Sequence, residues 1–251
     1  MSRVWLTGAS SGIGAALAQV LLEQGHHLAL SARQVEPLQA LATRYPDQVL
    51  VVPGDLTDPR QVARVCQQID CEWLALDLVI LNAGTCEYLE PGRFDTHLVE
   101  RVITSNLLGT SHCLEAALPL LRRGQCPHLV VVSSAVTWLA LPRAGAYGAS
   151  KAALRYLVES LRIDLATEGI DVTLVSPGFV DTPLTRRNDF PMPMRWSAQR
   201  AARHIARRLP ARPLDIVFPW FFTVVLRLLG HLPASWRLAL GRRLARPSKE
   251  S

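Results

Sequence analysis

An apolar run, a glycine-rich turn and a helical pattern follow one another at the start of the chain. Residues 4–7 are apolar, and the sequence TGASSGIG (7–14) follows at once. The next residues, AALAQVLLEQG (15–25), are amphipathic with helical spacing. Glycines between a strand and a helix let backbone N–H groups approach a pyrophosphate closely, because no Cβ is in the way. This order predicts a strand, a tight turn and a helix, with a dinucleotide-phosphate site at the turn.

The same alternation continues along the chain. Seven apolar runs are predicted to be strands, at residues 4–7, 27–33, 49–58, 76–84, 128–134, 170–178 and 214–219. Helical patterns lie between them, at residues 35–45, 60–69, about 96–123, 147–166 and 198–209. The runs are rich in Val and Leu and nearly continuous in hydrophobicity, as in strands that helices cover on both faces. We therefore predict a single α/β domain over residues 1–251, built on a doubly wound parallel sheet of about seven strands.

Composition indicates a globular protein in a reducing compartment. Hydrophobic residues make up 49% of the 251 residues and charged residues 19%, which excludes a disordered chain. The glycine turn begins so early that no secretory leader or N-terminal anchor is expected before it. The five cysteines have no CxxC spacing, so we expect reduced thiols, no metal site and a cytoplasmic location.

The residues that follow the second, third and fourth strands discriminate between cofactors. An acidic residue after the second strand would bind the ribose 2′-hydroxyl of NAD, but this chain has Ser31-Ala32-Arg33 there. Arg33 suits the 2′-phosphate of NADP, so NADP(H) is the preferred cofactor, and NAD(H) is the alternative if Arg33 is only a solvated charge. Asp55 is placed to accept a hydrogen bond from the adenine amino group. Asn82-Ala83-Gly84 ends the fourth strand against the same cofactor.

A hydroxyl, a phenol and an ammonium group recur near the fifth strand. Tyr147 and Lys151 are four residues apart on a predicted helix, so they share one face. A tyrosine ionises near pH ~10, and a nearby ammonium lowers that pKa, which makes a usable acid or base. Ser134 could donate a hydrogen bond to a carbonyl oxygen from a strand end. The pattern also fits a surface Tyr–Lys pair, so carbonyl–alcohol chemistry depends on a hydride donor at the glycine turn.

Further short motifs accompany these residues in a fixed order. They are GDLTD (54–58), NAG (82–84), SNLLGT (105–110), VVSS (131–134), YGASK (147–151) and PGFVDT (177–182). With TGASSGIG, they make the chain resemble the short-chain dehydrogenase/reductase family, in its compact single-domain branch, over about residues 3–183. Each motif is modestly specific, and their joint order is highly specific. The resemblance implies a Rossmann-type fold.

The resemblance also implies a catalytic tetrad. Tyr147 would protonate the carbonyl oxygen while hydride passes from the nicotinamide to carbon. Lys151 would bind the nicotinamide ribose hydroxyls and lower the pKa of Tyr147, and Ser134 would hold the substrate oxygen. Asn106 would position a water in a proton relay to Lys151. Ser133 is the competing serine, but the thirteen-residue interval to Tyr147 favours Ser134.

The cofactor contacts that the resemblance implies are spread over all the strand ends. They are Gly8, Ser10, Ser11, Gly12, Ile13, Gly14, Arg33, Asp55, Leu56, Asn82, Ala83, Gly84, Tyr147, Lys151, Pro177, Gly178, Val180 and Thr182, with Thr182 near the carboxamide. The expected activity is NADPH-dependent, reversible reduction of a ketone or aldehyde on a small, relatively apolar substrate. The alternatives are an NAD-linked alcohol dehydrogenase with the same site and a non-catalytic NADP-binding sensor or scaffold. Family members are commonly dimers or tetramers, so a homo-oligomer is expected.

Beyond Thr182 the family has no fixed pattern. The Pro- and Met-containing segment 183–196 fits a mobile lid within a substrate-lid region over 183–212. Ser197 is expected to cap the helix that follows.

The C-terminal part is basic and apolar. Residues 186–251 hold 14 Lys+Arg and 3 Asp+Glu, whereas residues 1–185 hold 13 and 18. The apolar run 220–229 is too short to span a membrane. Residues 220–251 are predicted to be a helical extension with three alternatives: packing on the body or a second subunit, peripheral membrane contact through 220–246, or a cap over a long apolar substrate. Nucleic-acid binding is not predicted, because no recognised module accompanies the arginines.

Overall fold

Parallel strands form the centre of the protein. The computed structural model describes residues 1–90, 92–187 and 192–244. Its strands are β1 (Arg3–Thr7), β2 (His27–Ser31), β3 (Val49–Val51), β4 (Leu78–Leu81), β5 (His128–Val132), β6 (Asp171–Pro177), β7 (Val180–Asp181), β8 (Trp196–Ser197) and β9 (Asp215–Phe218). Seven of them form one sheet in the order β3-β2-β1-β4-β5-β6-β9, and every neighbouring pair is parallel. The predicted doubly wound sheet is confirmed.

Helices connect the strands and cover both faces of the sheet. They are α1 (Gly12–Glu23), α2 (Glu36–Arg44), α3 (Pro59–Trp73), α4 (Thr96–Ile103), α5 (Gly109–Arg122), α6 (Gly145–Ala166), α7 (Ala198–Arg208), α8 (Trp220–Gly230) and α9 (Ala234–Leu244). No helix among the described residues is long and apolar enough to cross a membrane.

Alternate side chains of each strand build two separate cores. On one face, residues such as Leu6 and Leu30 pack against α1 and α7. On the other face, residues such as Trp5 and Val131 pack against α3, α5 and α6. Because successive side chains of a strand point to opposite faces, both faces of an apolar strand are buried only when helices cover each of them. The layering therefore follows from the continuous hydrophobicity of the strands.

Two predicted elements differ from those observed. Within 49–58, predicted as a strand with a turn, the strand is only Val49–Val51 and the turn follows at residues 56–57. The single helix predicted over about 96–123 is α4 and α5 joined by a π-helical turn, Thr104–Leu108. A π turn adds one residue to a helical repeat, and the apolar pattern alone does not reveal it.

The predicted lid region contains one element of the core. Helix α7 begins after Ser197, whose side chain accepts from the backbone N–H of Arg200 at 3.2 Å, as predicted for a cap. Ala201, Ala202 and Ile205 on α7 are buried in the core with α1. The lid hypothesis therefore rests on the residues before α7. Of these, residues 188–191 lie outside the described part of the chain.

Candidate active site

The loops at the carboxyl ends of six neighbouring strands meet along one edge of the sheet. The glycine turn follows β1, Arg33 follows β2, Asp55 follows β3 and Gly84 follows β4. Ser134 follows β5, and the 177–182 motif closes β6. In open parallel sheets, ligands bind at this edge where the strand order reverses, here between β1 and β4. The topology thus brings the predicted loops to one place.

The glycine turn has the shape that a pyrophosphate requires. Gly8 and Gly12 have φ of +68° and +57°, a left-handed conformation that favours glycine. A Cβ on Gly14 would overlap the carbonyl oxygen of Gly8, so the helix starts in direct contact with the turn. Ser11 precedes α1, its side chain makes no capping bond, and the first turn of α1 has no acidic residue. The first N–H groups of α1 therefore suit a bound phosphate.

Asn82 fastens the glycine turn to the end of β4. Its Nδ2 donates to the carbonyl oxygens of Thr7 at 3.1 Å and Gly8 at 3.3 Å. The hydroxyl of Thr7 accepts from the backbone N–H groups of Asn82 at 3.0 Å and Ala83 at 3.1 Å. The side-chain amide of Asn82 thus links the end of β4 to the backbone of the glycine turn.

The residues predicted to bind the adenosine end lie at the correct strand ends. Arg33 is exposed, and its side chain forms no ion pair within the described residues. The carboxylate of Asp55 accepts from the backbone N–H of Thr57 at 3.0 Å and from its hydroxyl at 2.8 Å. Leu56 is partly buried beside the buried side chains of α5. The Asp55 carboxylate therefore stabilises the loop after β3. Its contact with adenine stays a prediction.

Asn106 lies within the π-helical turn and is fully buried. Its Oδ1 accepts from the backbone N–H of Thr85 at 2.7 Å. Its Nδ2 donates to the carbonyl oxygen of Thr85 and to the hydroxyl of Ser150, both at 2.9 Å. A Cβ on Gly84 would lie 2.9 Å from Asn106 Oδ1 and 3.3 Å from Lys151 Nζ. Asn106 therefore fixes the segment after β4 against Lys151.

The two serines after β5 have different surroundings. Ser133 is buried, and its hydroxyl donates to the backbone oxygen of Lys151 at 3.2 Å. Ser134 is partly exposed, accepts from the N–H of Val136 at 3.2 Å and lies close enough to Tyr147 to lower the pKa of its phenol. Ser134 is thus the serine that meets Tyr147.

Electrostatics at Tyr147 and Lys151 differ from the expected pattern. Burial raises the pKa of Tyr147, and the nearby Ser134 hydroxyl offsets only part of that rise. Burial also lowers the pKa of Lys151 to about 8. Lys151 Nζ donates to the backbone oxygen of Val132 at 2.9 Å. Burial is thus the main influence on the pKa of Tyr147 in this structure, and the lowering of that pKa by Lys151 stays a prediction.

Cys86 belongs to the site but was not among the predicted residues. Burial raises the pKa of its thiol to about 11, while Tyr88 and the nearby ammonium of Lys151 favour the thiolate. The Cys86 thiol acts in turn on the pKa values of Tyr147 and Lys151. Its position two residues after Gly84 was the available signal, since the end of β4 faces the same edge.

An apolar wall stands beside Ser134 and the β6 motif. The ring centroids of Phe179 and Phe222 are 5.5 Å apart. Phe222 of α8 and Trp138 of the 3₁₀ turn Ala135–Trp138, directly after Ser134, pack against the same small apolar cluster. A Cβ on Gly178 would lie 3.0 Å from the ring of Phe222. The inner face of α8 therefore packs on the body of the protein.

The β6 motif also approaches the glycine turn. A Cβ on Gly12 would lie 3.0 Å from Thr182 Cγ2, so these two loops are in contact. Pro177 and Val180 are buried. Thr182 and Thr185 exchange hydrogen bonds between their hydroxyls and backbone groups. The predicted nicotinamide end thus lies across the turn from α1.

Comparison with known proteins gives the family. The family described as short chain dehydrogenase matches residues 2–190. An uncharacterized oxidoreductase of Myxococcus xanthus is 35% identical over 247 residues, which cover 95% of this chain and 96% of the relative. The chain belongs to the short-chain dehydrogenase family. It is therefore an oxidoreductase of that family with a nucleotide-binding site.

Solved structures of short-chain dehydrogenases have the same fold. One from Streptomyces avermitilis is 26% identical, with a TM-score of 0.83 and 96% of each chain covered. Another, from Burkholderia cenocepacia in complex with NADP, is 26% identical, with a TM-score of 0.82 and 98% of each chain covered. The likeness extends past residue 190, where the short chain dehydrogenase match ends, so the C-terminal helices are included in these comparisons.

Proposed function

We propose that this short-chain dehydrogenase is an NADPH-dependent reductase of ketones or aldehydes that also runs in reverse. The observation that carries the proposal is that the Ser134 hydroxyl lies close enough to the Tyr147 phenol to lower its pKa, beside the buried Lys151. These groups stand at the same sheet edge as the glycine turn. A hydroxyl and a phenol that meet at one point can hold and protonate a carbonyl oxygen.

Tyr147 acts as the general acid in the proposed reduction. When bound, the nicotinamide supplies hydride to the carbonyl carbon or accepts it in the reverse direction. The phenol of Tyr147 gives its proton to the carbonyl oxygen, to which Ser134 donates a hydrogen bond. Burial raises the pKa of Tyr147, so the phenol stays protonated at neutral pH, as a proton donor requires.

Lys151 and Asn106 support that chemistry in different ways. Lys151 is proposed to hold the nicotinamide ribose hydroxyls, and its pKa of about 8 leaves it largely protonated at pH 7. All three hydrogen bonds of the Asn106 side chain go to Thr85 and Ser150. Asn106 is therefore a positioning residue for the segment beside Lys151, and the water relay is proposed only through its backbone.

Replacing Tyr147 with Phe tests the mechanism. The variant should retain NADPH binding, measured by fluorescence titration, and lose turnover of carbonyl substrates by at least about 10²-fold, the usual range for acid catalysis. Tyr45→Phe is the matched control, because this tyrosine ends α2, away from the sheet edge that holds Tyr147. Undiminished turnover in Tyr147→Phe would refute the role of Tyr147. Binding of NADPH without turnover of any carbonyl or alcohol in the unaltered protein would favour the sensor alternative.

Arg33 supports the preference for NADP(H). It is exposed after β2, where the adenosine ribose is expected, and no acidic residue accompanies it. The similar structure from Burkholderia cenocepacia holds NADP. Arg33→Ala should weaken NADPH binding by about 1.5–3 kcal/mol and leave NADH binding unchanged, since the lost contact is a charged hydrogen bond. Arg60→Ala, an exposed arginine on α3, is the control. Equal weakening of both cofactors, or a preference for NADH in the unaltered protein, would favour the NAD-linked alcohol dehydrogenase.

The walls of the site support a relatively apolar substrate. Trp138, Phe179 and Phe222 form the apolar wall beside Ser134. Phe179→Ser should raise KM for aryl or alkyl ketones more than for small hydroxy-ketones, because a large apolar contact is lost. Equal KM changes for both substrate classes would contradict an apolar pocket.

We also propose a homo-oligomer formed through the long helices. Tyr156 and Ile163 of α6 are 78% and 73% exposed and lie seven residues apart on one helix face. Ile163→Arg should shift the mass in sedimentation velocity to that of the monomer. A monomeric unaltered protein would refute this assembly.

A cytoplasmic location is the remaining part of the proposal. Cys66 and Cys113 are buried free thiols, which suit a reducing compartment. Cell fractionation should recover the protein with cytoplasmic markers in high salt, and recovery with periplasmic or secreted proteins would contradict it.

A further inference from the structure

Helices α8 and α9 expose an apolar surface that the proposed enzyme chemistry does not use. We call it the α8–α9 surface, and its exposed large residues are Trp220, Phe221, Val224, Leu228, Trp236, Leu238 and Leu244. Trp220 and Trp236 are 70% and 65% exposed. On α8, residues 221, 224 and 228 follow helical spacing, so they share one face. This exposed apolar row on α8 is the kind of feature that marks an interaction surface.

Helix α9 has little that stabilises it in water. It is 11 residues long, and none of its residues is buried. Only Leu240 packs with the small apolar cluster around Trp138. Isolated helices this short are marginal in water, because helix stability in proteins comes mainly from packing of an apolar face. We therefore expect α9 to gain stability from a binding partner that covers its apolar residues.

The charges of this surface favour a negatively charged partner. Every charged side chain from residue 216 to residue 244 is an arginine, namely Arg227, Arg237, Arg242 and Arg243. No ion pair joins the last three to any side chain in the described part of the chain. A second copy would bring the same positive charges together, whereas anionic headgroups would neutralise them. Indole rings beside cations suit the boundary between headgroups and acyl chains.

A hollow beside α8 repeats the same combination of side chains. It has a volume of about 340 Å³ and is lined by Trp196, Phe218, Trp220, Phe221 and Arg200, among others. The guanidinium of Arg200 lies 4.0 Å from the ring centroid of Trp196. The hollow thus extends the aromatic and basic character of the surface toward α7.

We propose that the α8–α9 surface docks on an anionic lipid surface, with its aromatic residues in the interface and its arginines on the headgroups. The proposal does not depend on the reaction assigned to the active site. It has a structural consequence for that site, since α8 is two-sided. Phe222, Leu226 and Leu229 on its inner face pack on the segment after Ser134. Lipid docking would therefore place the apolar wall of the active site next to the membrane.

Vesicle flotation with the full chain tests the proposal. The probes are vesicles of phosphatidylcholine with 30% phosphatidylserine and vesicles of phosphatidylcholine alone. The protein should float with the anionic vesicles, and binding should fall when salt rises from 0.05 to 0.5 M, because salt screens the arginines. Arg237→Gln and Arg242→Gln should each weaken partitioning about fivefold, the equivalent of ~1 kcal/mol per cation. Phe221→Ser should weaken it about tenfold or more at both salt concentrations.

Matched variants elsewhere make the test specific. Phe94→Ser removes an aromatic side chain that is 76% exposed, and Arg64→Gln removes an exposed arginine of α3. Both should bind vesicles like the unaltered protein, and a thermal melt checks that every variant is folded. Protein that stays in the soluble fraction overturns the proposal, as does equal binding to neutral vesicles that is insensitive to the arginines. Loss of a dimer in Phe221→Ser, with no vesicle binding by the unaltered protein, would show instead that a second copy covers this surface.

Discussion

Asn106 offers the sharpest test of how the site is held together. Asn106→Ala removes three hydrogen bonds at once, two to the backbone of Thr85 and one to the hydroxyl of Ser150, with lengths of 2.7 to 2.9 Å. At about 0.5–1.5 kcal/mol for each bond, the free energy of unfolding should fall by about 1.5–4.5 kcal/mol. The upper half of that range is expected, because Asn106 is fully buried and its partners cannot all find water.

A double-mutant cycle isolates the bond between Asn106 and Ser150. Ser150→Ala removes one partner of Asn106 and also the bond from the Ser150 hydroxyl to the backbone oxygen of Tyr147, so it should cost about 1–3 kcal/mol. The two substitutions together should cost less than the sum of the single losses by about 0.5–1.5 kcal/mol, because both delete the same bond. Urea unfolding followed by circular dichroism gives all four free energies under one condition. A loss below about 1 kcal/mol for Asn106→Ala, or additive effects in the cycle, would refute this account of the π turn.

The same variant separates positioning from chemistry. Loss of the bonds to Thr85 would let the neighbouring Gly84 move. Gly84 lies so close to Lys151 that an added Cβ would be 3.3 Å from Lys151 Nζ. We therefore expect Asn106→Ala to weaken NADPH binding in a direct titration even where the protein remains folded. Unchanged NADPH affinity would confine the role of Asn106 to stability.

Three further predictions concern stability. Gly14→Ala should destabilise the protein by about 2 kcal/mol or more in urea unfolding, because the new Cβ would overlap the carbonyl oxygen of Gly8. Gly148→Ala is the control, since its new Cβ would lie 3.9 Å from the nearest atom, and it should be neutral or stabilising by up to ~1 kcal/mol. Burial opposes ionisation of Asp77, but hydrogen bonds from Arg3 prevail and lower its pKa. Asp77→Asn should therefore lower the free energy of unfolding by about 1–2 kcal/mol at pH 7, and by progressively less as acid protonates the carboxylate. A difference in unfolding free energy that stays constant across pH would contradict this. Burial lowers the pKa of Lys151 from 10.5 to about 8. The buried ammonium therefore destabilises the folded protein fully below pH 8, and this cost is lost as the pH rises to 10.5. The gain in unfolding free energy from Lys151→Met should therefore be larger at pH 7 than at pH 10.

Much of the sheet could be predicted from local sequence alone. The seven strands of the sheet are apolar runs that turn residues interrupt, and each was found near its observed position. The strand predicted over 76–84 extends beyond β4, which ends at Leu81, because Asn82, Ala83 and Gly84 form the loop at the sheet edge. The pair β7–β8 could not be predicted, since it joins Val180 to Trp196 by tertiary contact and each strand has two residues.

The site residues were predictable where a spacing defines them. Tyr147 and Lys151 share a helix face, and Ser134 lies at a strand end, so the sequence placed these groups together. The direction of the pKa shift of Tyr147 was not predictable, because burial depends on how α6 packs against its neighbours. Cys86 was not predicted, and Phe222 was assigned only to the C-terminal extension, because each reaches the site through packing rather than through a motif.

The contact between Gly230 and Trp138 limits how this protein can be recombined with its relatives. A Cβ on Gly230 would overlap the carbonyl oxygen of Trp138, so the end of α8 lies directly on the backbone that follows Ser134. Arg227 of the same helix also covers the Trp138 ring at 4.4 Å. A chimera that takes its C-terminal helices from another short-chain dehydrogenase would therefore need a glycine at this position, or a matching exchange of the 135–141 loop. The two segments form one unit of exchange, although about ninety residues separate them in the chain.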